Sequence, residues 1–423
     1  MKQGKRQLFI VALLAIAYAQ AGAQKTQLLH FFVEAGAWER FNTPVSLDLT
    51  GINKSDTLSF VLYEKVKGNL VRKAAQVEHG YSPRLWWILD GTTQAGGKRE
   101  FLLFAEELEK DPVAISTSAN ADNLVLKRGS SELLHYRTSM LYPPAKVDTA
   151  YKRNGFIHPL FSPSGKVLTM VSPRDHYHHL GLWNPWTVVK IDDHVTDFWN
   201  LYSKQGTVRF AGVNKLTEGP VFGGFEVKQE HIDFQGKTKE DIAINEVWDM
   251  RAFNSEPLAG TNAYLLDMTS LLSVAGTTPV ILEAYRYGGG IGIRTTPEWN
   301  RENSTVLTSE GKIRREADGT RARWVDLNGA FSSGGTAGIT FFSHPSNREH
   351  PEPMRVWPED SNGRGDLFFE FCPIRHKSWV LEPGNVYRLQ YRLLVYDGKI
   401  DQANANRLWN DFAYPPVVRI SGK

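Results

Sequence analysis

The chain of 423 residues carries 49 Lys and Arg against 46 Asp and Glu, a formal net charge of +3. That balance excludes a chain built to meet nucleic-acid phosphates, which needs a strongly basic surface. With 41% hydrophobic residues and a single cysteine, Cys372, the fold must rest on a large core and not on internal disulfides.

The first 23 residues read as a signal peptide. A basic start, "MKQGKR", precedes the apolar run "LFIVALLAIAYA", and small-residue cleavage sites follow at Ala17-Tyr18-Ala19 and Ala21-Gly22-Ala23. The run is shorter than the roughly 20 residues of a spanning helix, and no later segment is long and apolar enough to span a bilayer. Removing Lys2, Lys5 and Arg6 with the leader brings the basic residues level with the 46 acids. The expectation is an exported protein, periplasmic or on the surface of a bacterium.

Beyond the leader, strand alternation dominates. "VSLDLTGI", "LSFVLYEKV" and "REFLLFAEEL" come first; "TVRFAGVNKL", "GFEVKQEHIDF", "ARWVDLNGAF", "AGITFFSH" and "YRLQYRLLVYDG" follow, with turn residues between. This predicts an all-β protein. A composition shift at "EKDPVAISTSANADN" divides it into a small β-sandwich-like domain over 24–115 and a larger antiparallel sandwich over 116–400. Residues 401–423 are expected to form a C-terminal tail with a short helix at "NANRLWNDFA". Trp, Tyr and Phe number 12, 15 and 22, which suits either sugar platforms or an aromatic β core.

Five polar clusters stand out in chain order. In "NGFIHPLFSPSGKVLTM", His158 sits beside Pro159 in a turn-rich connection. In "SPRDHYHHLGLWNPW", Asp175, His176, His178 and His179 crowd five positions. As an extended segment it would put His176 and His178 on one side and Tyr177 and His179 on the other. Such a set fits a metal site or a general acid–base pair, because imidazole titrates near neutrality. Trp183 and Trp186 follow, as sugar platforms or as core. "DDHVTDFWN" brings Asp193, His194, Asp197 and Trp199, as a fold-back against the histidines or as a solvated loop. In "EAYRYGGGIGIRTTPEW", Glu283 precedes a glycine run that Arg286 and Arg294 flank; without G-K-[ST] and a following helix this is no phosphate loop. The glycines are expected to let backbone approach a ligand or form a bulge. In "FFSHPSNREHPEPMRVWP", His344, Asn347, Arg348, His350 and Arg355 follow a strand end, and the arginines suit a carboxylate such as that of a uronic acid.

Taken together, "FIHPLFSPSGKVLT", "DHYHHLGLW", "DFWN", "YGGGIGIR", "WVDLNG" and "FFSHPSN", in that order, resemble the bacterial proteins labelled PmoA-like, over about residues 30 to 400. The label names a methane oxygenase subunit made of spanning helices, so the resemblance does not imply methane oxidation. In those proteins a small residue or proline is usual at Tyr177 and an arginine at Leu180. If that arginine contacts substrate, leucine here implies altered specificity or activity. "LEPGNVYRLQYRLLVYDG" also resembles the late strands of the galactose-mutarotase-like supersandwich, whose enzymes use histidines and a carboxylate on sugars.

The resulting expectation is an acid–base enzyme acting on a sugar or glycan by cleavage, elimination or epimerisation. His158, Asp175, His176, His178, His179 and Glu283 would be catalytic, and Trp183, Trp186, Arg286, His344, Asn347, Arg348 and Arg355 would bind substrate. Two alternatives stay open: a divalent-metal enzyme with His158, His176, His178 and Glu283 as ligands, and a non-catalytic glycan-binding protein relying on its tryptophans.

Overall fold

The computed structural model describes residues 25–55, 57–107, 111–236, 238, 240–361 and 363–422; the leader segment lies outside them. The protein is all-β, and every pairing between named strands is antiparallel.

Two sheets dominate. One has eight strands, in spatial order 206–217, 222–233, 241–253, 263–274, 387–397, 336–343, 324–330 and 304–308. The other has nine, in order 321–322, 352–356, 368–371, 291–294, 182–183, 156–160, 131–137, 123–128 and 115–119. They enclose one core, with Val227, Trp248, Met268 and Phe341 from the first sheet against Leu126, Ile157, Leu182 and Phe369 from the second. The period of two explains the composition of these strands. In Ala263–Val274, Tyr264, Leu266, Met268 and Leu272 face this core, whereas Ala263 and Leu265 face the other way. In Tyr387–Asp397, Leu389, Tyr391, Leu393 and Val395 point inward and Leu394 and Tyr396 outward. The outward residues are covered by the helix Gln402–Ala413 through Ala405, Leu408 and Trp409. Burial on both faces is why "RLLVYD" is nearly all apolar. Asp401 starts the helix by accepting from the Asn404 N–H.

Residues 25–106 form two smaller sheets around a separate core that includes Phe31, Leu47, Leu62, Trp87 and Phe101. The last strand, Val417–Ile420, joins the first of these sheets by pairing with Lys25–Glu34. Among the described residues, no helix is long and apolar enough to cross a membrane.

In the nine-stranded sheet the alternation produces a second apolar face. Ile157, Leu182, Ile293 and Phe369 point into the core. Their neighbours Phe156, Trp183 and Phe368 point outward, into a cluster with Leu180, Trp199, Leu201 and Trp357. That outer cluster is the floor of the site.

Candidate functional site

A cavity of about 270 Å³ opens over this outer face. It is lined by His176, His178, His179, Trp199, Asn200, Arg286, Tyr287, Arg355, Trp357, Ser361 and Phe368.

The histidine segment is not extended, in contrast to the sequence expectation. The His176 N–H donates to Pro173 O and the His179 N–H to His176 O, so two tight turns follow one another. The loop is closed by the Val171–Leu180 bridge and by the Ser172 N–H on His179 O. Pairing by threes replaces pairing by twos: the His176 and His179 rings stack at 4.7 Å and 24°. His178 stands edge-on to His179 at 4.8 Å. Beneath them His179 stacks on Phe368 at 5.0 Å, and His176 lies 4.8 Å from Trp357. Asn184 ties the following segment to the opposite sheet by donating to Glu246 at 2.5 Å through the core.

Asp175 orders the cluster. Its Oδ2 accepts from His176 Nδ1 at 3.0 Å and from Arg294 Nη2 at 2.8 Å. Burial works against its charge. The His176 hydrogen bond and the Arg294 guanidinium overcome that, and hold the carboxyl well below the usual carboxylate range. An ionised carboxylate only accepts, so His176 Nδ1 carries the proton and its Nε2, without a protein partner among the described residues, is left as a base. Arg294 is fully buried, shares Nη2 with Asp366 and lies 4.6 Å over Trp357. Burial, reinforced by the neighbouring His176, lowers His178 to about 4. Burial and then His178 push His179 well below its ordinary value. Both rings are therefore neutral near neutral pH.

The opposite wall comes from the glycine-flanked segment. Tyr287 Oη accepts from Asn200 Nδ2 at 3.3 Å, and the same amide donates to Asp197 at 2.7 Å. Burial raises the Tyr287 phenol, so it keeps its proton. Arg355 is engaged by Asp318 at 2.6 Å. The exposed Arg286 lies over the Tyr287 ring at 5.6 Å and has no acid partner among the described residues. Among the described residues no Asp or Glu lines the cavity. Glu370 lies just behind, opposite Arg355 in register, buried and accepting the Gly288 N–H at 2.8 Å. Burial raises its carboxyl well above the usual range.

The structure thus brings together His176, His178, His179, Arg286 and Arg355, with Asp175 behind them. It separates the other predicted residues. His158 bonds Thr169 and does not line the cavity. Glu283 accepts from Ser378 Oγ at 2.6 Å, also outside it. Asn347 is buried and bridges Glu352 and Gln390 O. His344 and Arg348 line a separate groove. Trp183 and Trp186 are 0% exposed and cannot be platforms: Trp183 lies under the histidines, and Trp186 is clasped by the glycine run. A Cβ on Gly289 would sit 1.8 Å from the Trp186 ring, so the glycines admit an indole, not a ligand. Leu180 is buried in the apolar floor and does not line the cavity. In "DDHVTDFWN", His194 pairs with Asp233 at 2.7 Å, Asp197 caps the turn at Trp199 and Asn200, and Trp199 lines the cavity. Tyr287, Trp357, Asn200 and Phe368 escaped sequence reasoning, though all but Phe368 stood inside motifs already singled out; Arg294, noted there only as flanking the glycine run, is the buried partner of Asp175.

The metal-ligand set His158, His176, His178 and Glu283 does not converge. Among the described residues no three His, Cys, Asp or Glu side chains are placed to hold a metal ion.

What the fold and cavity define is an all-β protein with a histidine-lined site on the outer face of a large sheet. Residues 123–410 match a family of unknown function, DUF6807, and the chain belongs to that family. The match spans the strands and loops that build the cavity. No curated protein matches the chain.

Proposed function

We propose that the protein is an exported acid–base enzyme acting on a carboxylate-bearing sugar, with elimination or epimerisation as its reaction class. The observation that carries this reading is the Asp175–His176 pair facing Arg286, which has no acid partner among the described residues, and a proton-bearing Tyr287, in a cavity lined by no described carboxylate. Glycoside hydrolysis by two opposed carboxylates finds neither group among the described lining residues, and proton abstraction beside a substrate carboxylate needs neither. The resemblance of "LEPGNVYRLQYRLLVYDG" to the mutarotase-like supersandwich supports the carbohydrate part of the reading.

In this mechanism Arg286 holds the substrate carboxylate, which lowers the cost of charge developing on the neighbouring carbon. His176 Nε2 takes the proton from the α-carbon. For elimination, that electron pair forms the double bond, the β carbon–oxygen bond breaks, and the leaving oxygen takes the Tyr287 phenolic proton. For epimerisation, the Tyr287 phenol on the opposite wall gives its proton to the other face of the carbon. Asp175 positions His176 by fixing its tautomer. The neutral His178 hydrogen-bonds substrate, and Trp357 and Phe368 give the sugar ring an apolar surface.

The test is incubation with uronic acids and polyuronates, followed by the ultraviolet absorbance of the unsaturated product and by deuterium uptake at the α-carbon. His176→Asn and Tyr287→Phe should each lower kcat by on the order of 10²–10⁴-fold, and Arg286→Ala should act mainly on KM. Full activity in His176→Asn sinks the assignment.

A further inference from the structure

The residues that the structure parts from the cavity form a second recognisable surface. His344, Ser346, Arg348, Glu349, Trp379, Val386, Tyr387, Arg388 and Gln390 line an open groove of about 720 Å³. Its chemistry is aromatic and cationic. The Trp379 and Tyr387 rings meet edge to face, with centroids 5.5 Å apart at 89°, and the Arg348 guanidinium lies 5.3 Å over Trp379. Arg348 reaches Ser378 O at 2.6 Å, and its buried Nε has no partner among the described residues. Arg388 is exposed with no acid partner there. Among the described lining residues the one acid, Glu349, is already engaged by Arg321 at 3.0 Å. The groove therefore carries uncompensated positive charge.

The groove and the cavity share a wall. Segment 283–287 is laced to segment 375–379: Arg375 donates to Arg286 O at 2.8 Å, the Ala284 N–H to Ser378 Oγ at 3.0 Å, and Ser378 Oγ to Glu283. At one end of this wall Arg286 and Tyr287 face the cavity. At the other, Ser378 and Trp379 meet Arg348 in the groove. Glu283 and Arg286 are three positions apart, at most about 10 Å of extended chain. The crest between carries the exposed Arg286, His376 and Lys377. A run of cations thus leads from the catalytic cavity to the aromatic groove.

We infer that the groove is a second subsite for the same substrate, and that the substrate is a polyanionic glycan long enough to occupy cavity and groove together. This rests on the acid–base reading only for which end reacts. Repeating carboxylates on a polymer would meet Arg286, Lys377, Arg348 and Arg388 in succession, and the Tyr387 ring offers the apolar face of a sugar a partner. A monomer can fill the cavity alone and gains nothing from the groove.

Calorimetric titration with galacturonate and with a long oligogalacturonate tests this, with a neutral cello-oligosaccharide as control. The wild-type protein should bind the oligomer on the order of 100-fold more tightly than the monomer, through the linkage of two sites. Arg348→Ala with Arg388→Ala should remove most of that gain and leave monomer affinity unchanged, whereas Arg286→Ala should weaken both. Should the Arg348 variant fold poorly, Arg388→Glu alone, at an exposed position, should cut oligomer binding. Equal affinity for monomer and oligomer, or an oligomer affinity indifferent to Arg388→Glu, overturns the inference. A chain-length gain in a protein that turns over no uronate overturns the enzymatic reading and leaves the subsite standing.

Discussion

Trp183 shows how a residue's chemistry can be legible while its place is not. A tryptophan beside a histidine cluster in a β protein suits a sugar platform, yet its ring is fully buried, 5.1 Å from His179 and 5.0 Å from Trp199. Trp183→Ala should therefore act first on stability, lowering it by about 3–5 kcal/mol in chemical denaturation. A variant that unfolds at the wild-type midpoint but loses ligand affinity contradicts this placement. The histidines were legible for the converse reason: four ionisable groups within five positions are costly to bury without partners. The identity of those partners was not legible. Arg294 and Trp357 lie more than a hundred residues from Asp175 and His176 in the chain, and only strand register brings them across. Glu283 failed as the partner carboxylate because nothing local revealed that its loop turns it toward Ser378.

At the scale of elements, strand periodicity marked the long strands well, because a period of two survives wherever one or both faces are buried. It failed at Asp175–His179, where two turns impose a period of three. It also hid the polar cluster closing the "FFSHPSNREHPEP" loop. There the buried Glu352 accepts from Ser343 Oγ, from Asn347 at 3.0 Å and from Tyr391 at 2.8 Å. Burial outweighs these three donors and lifts its carboxyl from 4.5 to about 7. The folded state then holds a proton that the unfolded chain releases earlier. Between about pH 4.5 and pH 7 the native state binds more protons, so this group's contribution to stability falls as pH rises through that window. Histidines with lowered values, such as His178 and His350, both held near 4, act in the opposite sense, losing stability as pH falls below about 6.5. Comparison with Glu352→Gln isolates the carboxyl. Relative to that variant, the wild-type protein should lose about 3 kcal/mol between roughly pH 4 and pH 8. Parallel stability–pH curves for the two proteins would falsify the assignment.

Across the whole molecule, the C-terminal helix and strand join the small N-terminal sheets to the large sandwich. Arg40 and Asp411 form a buried pair at 2.8 Å. Thr43 also donates to Asp411 at 3.0 Å, and Arg40 reaches Ala35 O, Asn410 O and Tyr414 O. Asp411→Ala leaves Arg40 buried without its counter-charge, a loss of about 3–5 kcal/mol. Hydrogen exchange should quicken first in Lys25–Glu34 and Arg40–Asp48, with the cavity strands least affected. Uniform protection across both sheet systems would show that the helix does not couple them.

From composition, alternation and motif spacing, the sequence by itself determined that the chain is all-β, that its core is large and aromatic, and that ionisable groups crowd the histidine segment. Those properties follow from local periodicity and from residue types whose burial is expensive. Only the tertiary structure decided which face of the sheet carries the site, which arginines reach it, and which aromatics are floor instead of surface. Each of these depends on strand register, and on turns that place His176 over His179, set by contacts between residues far apart in the chain.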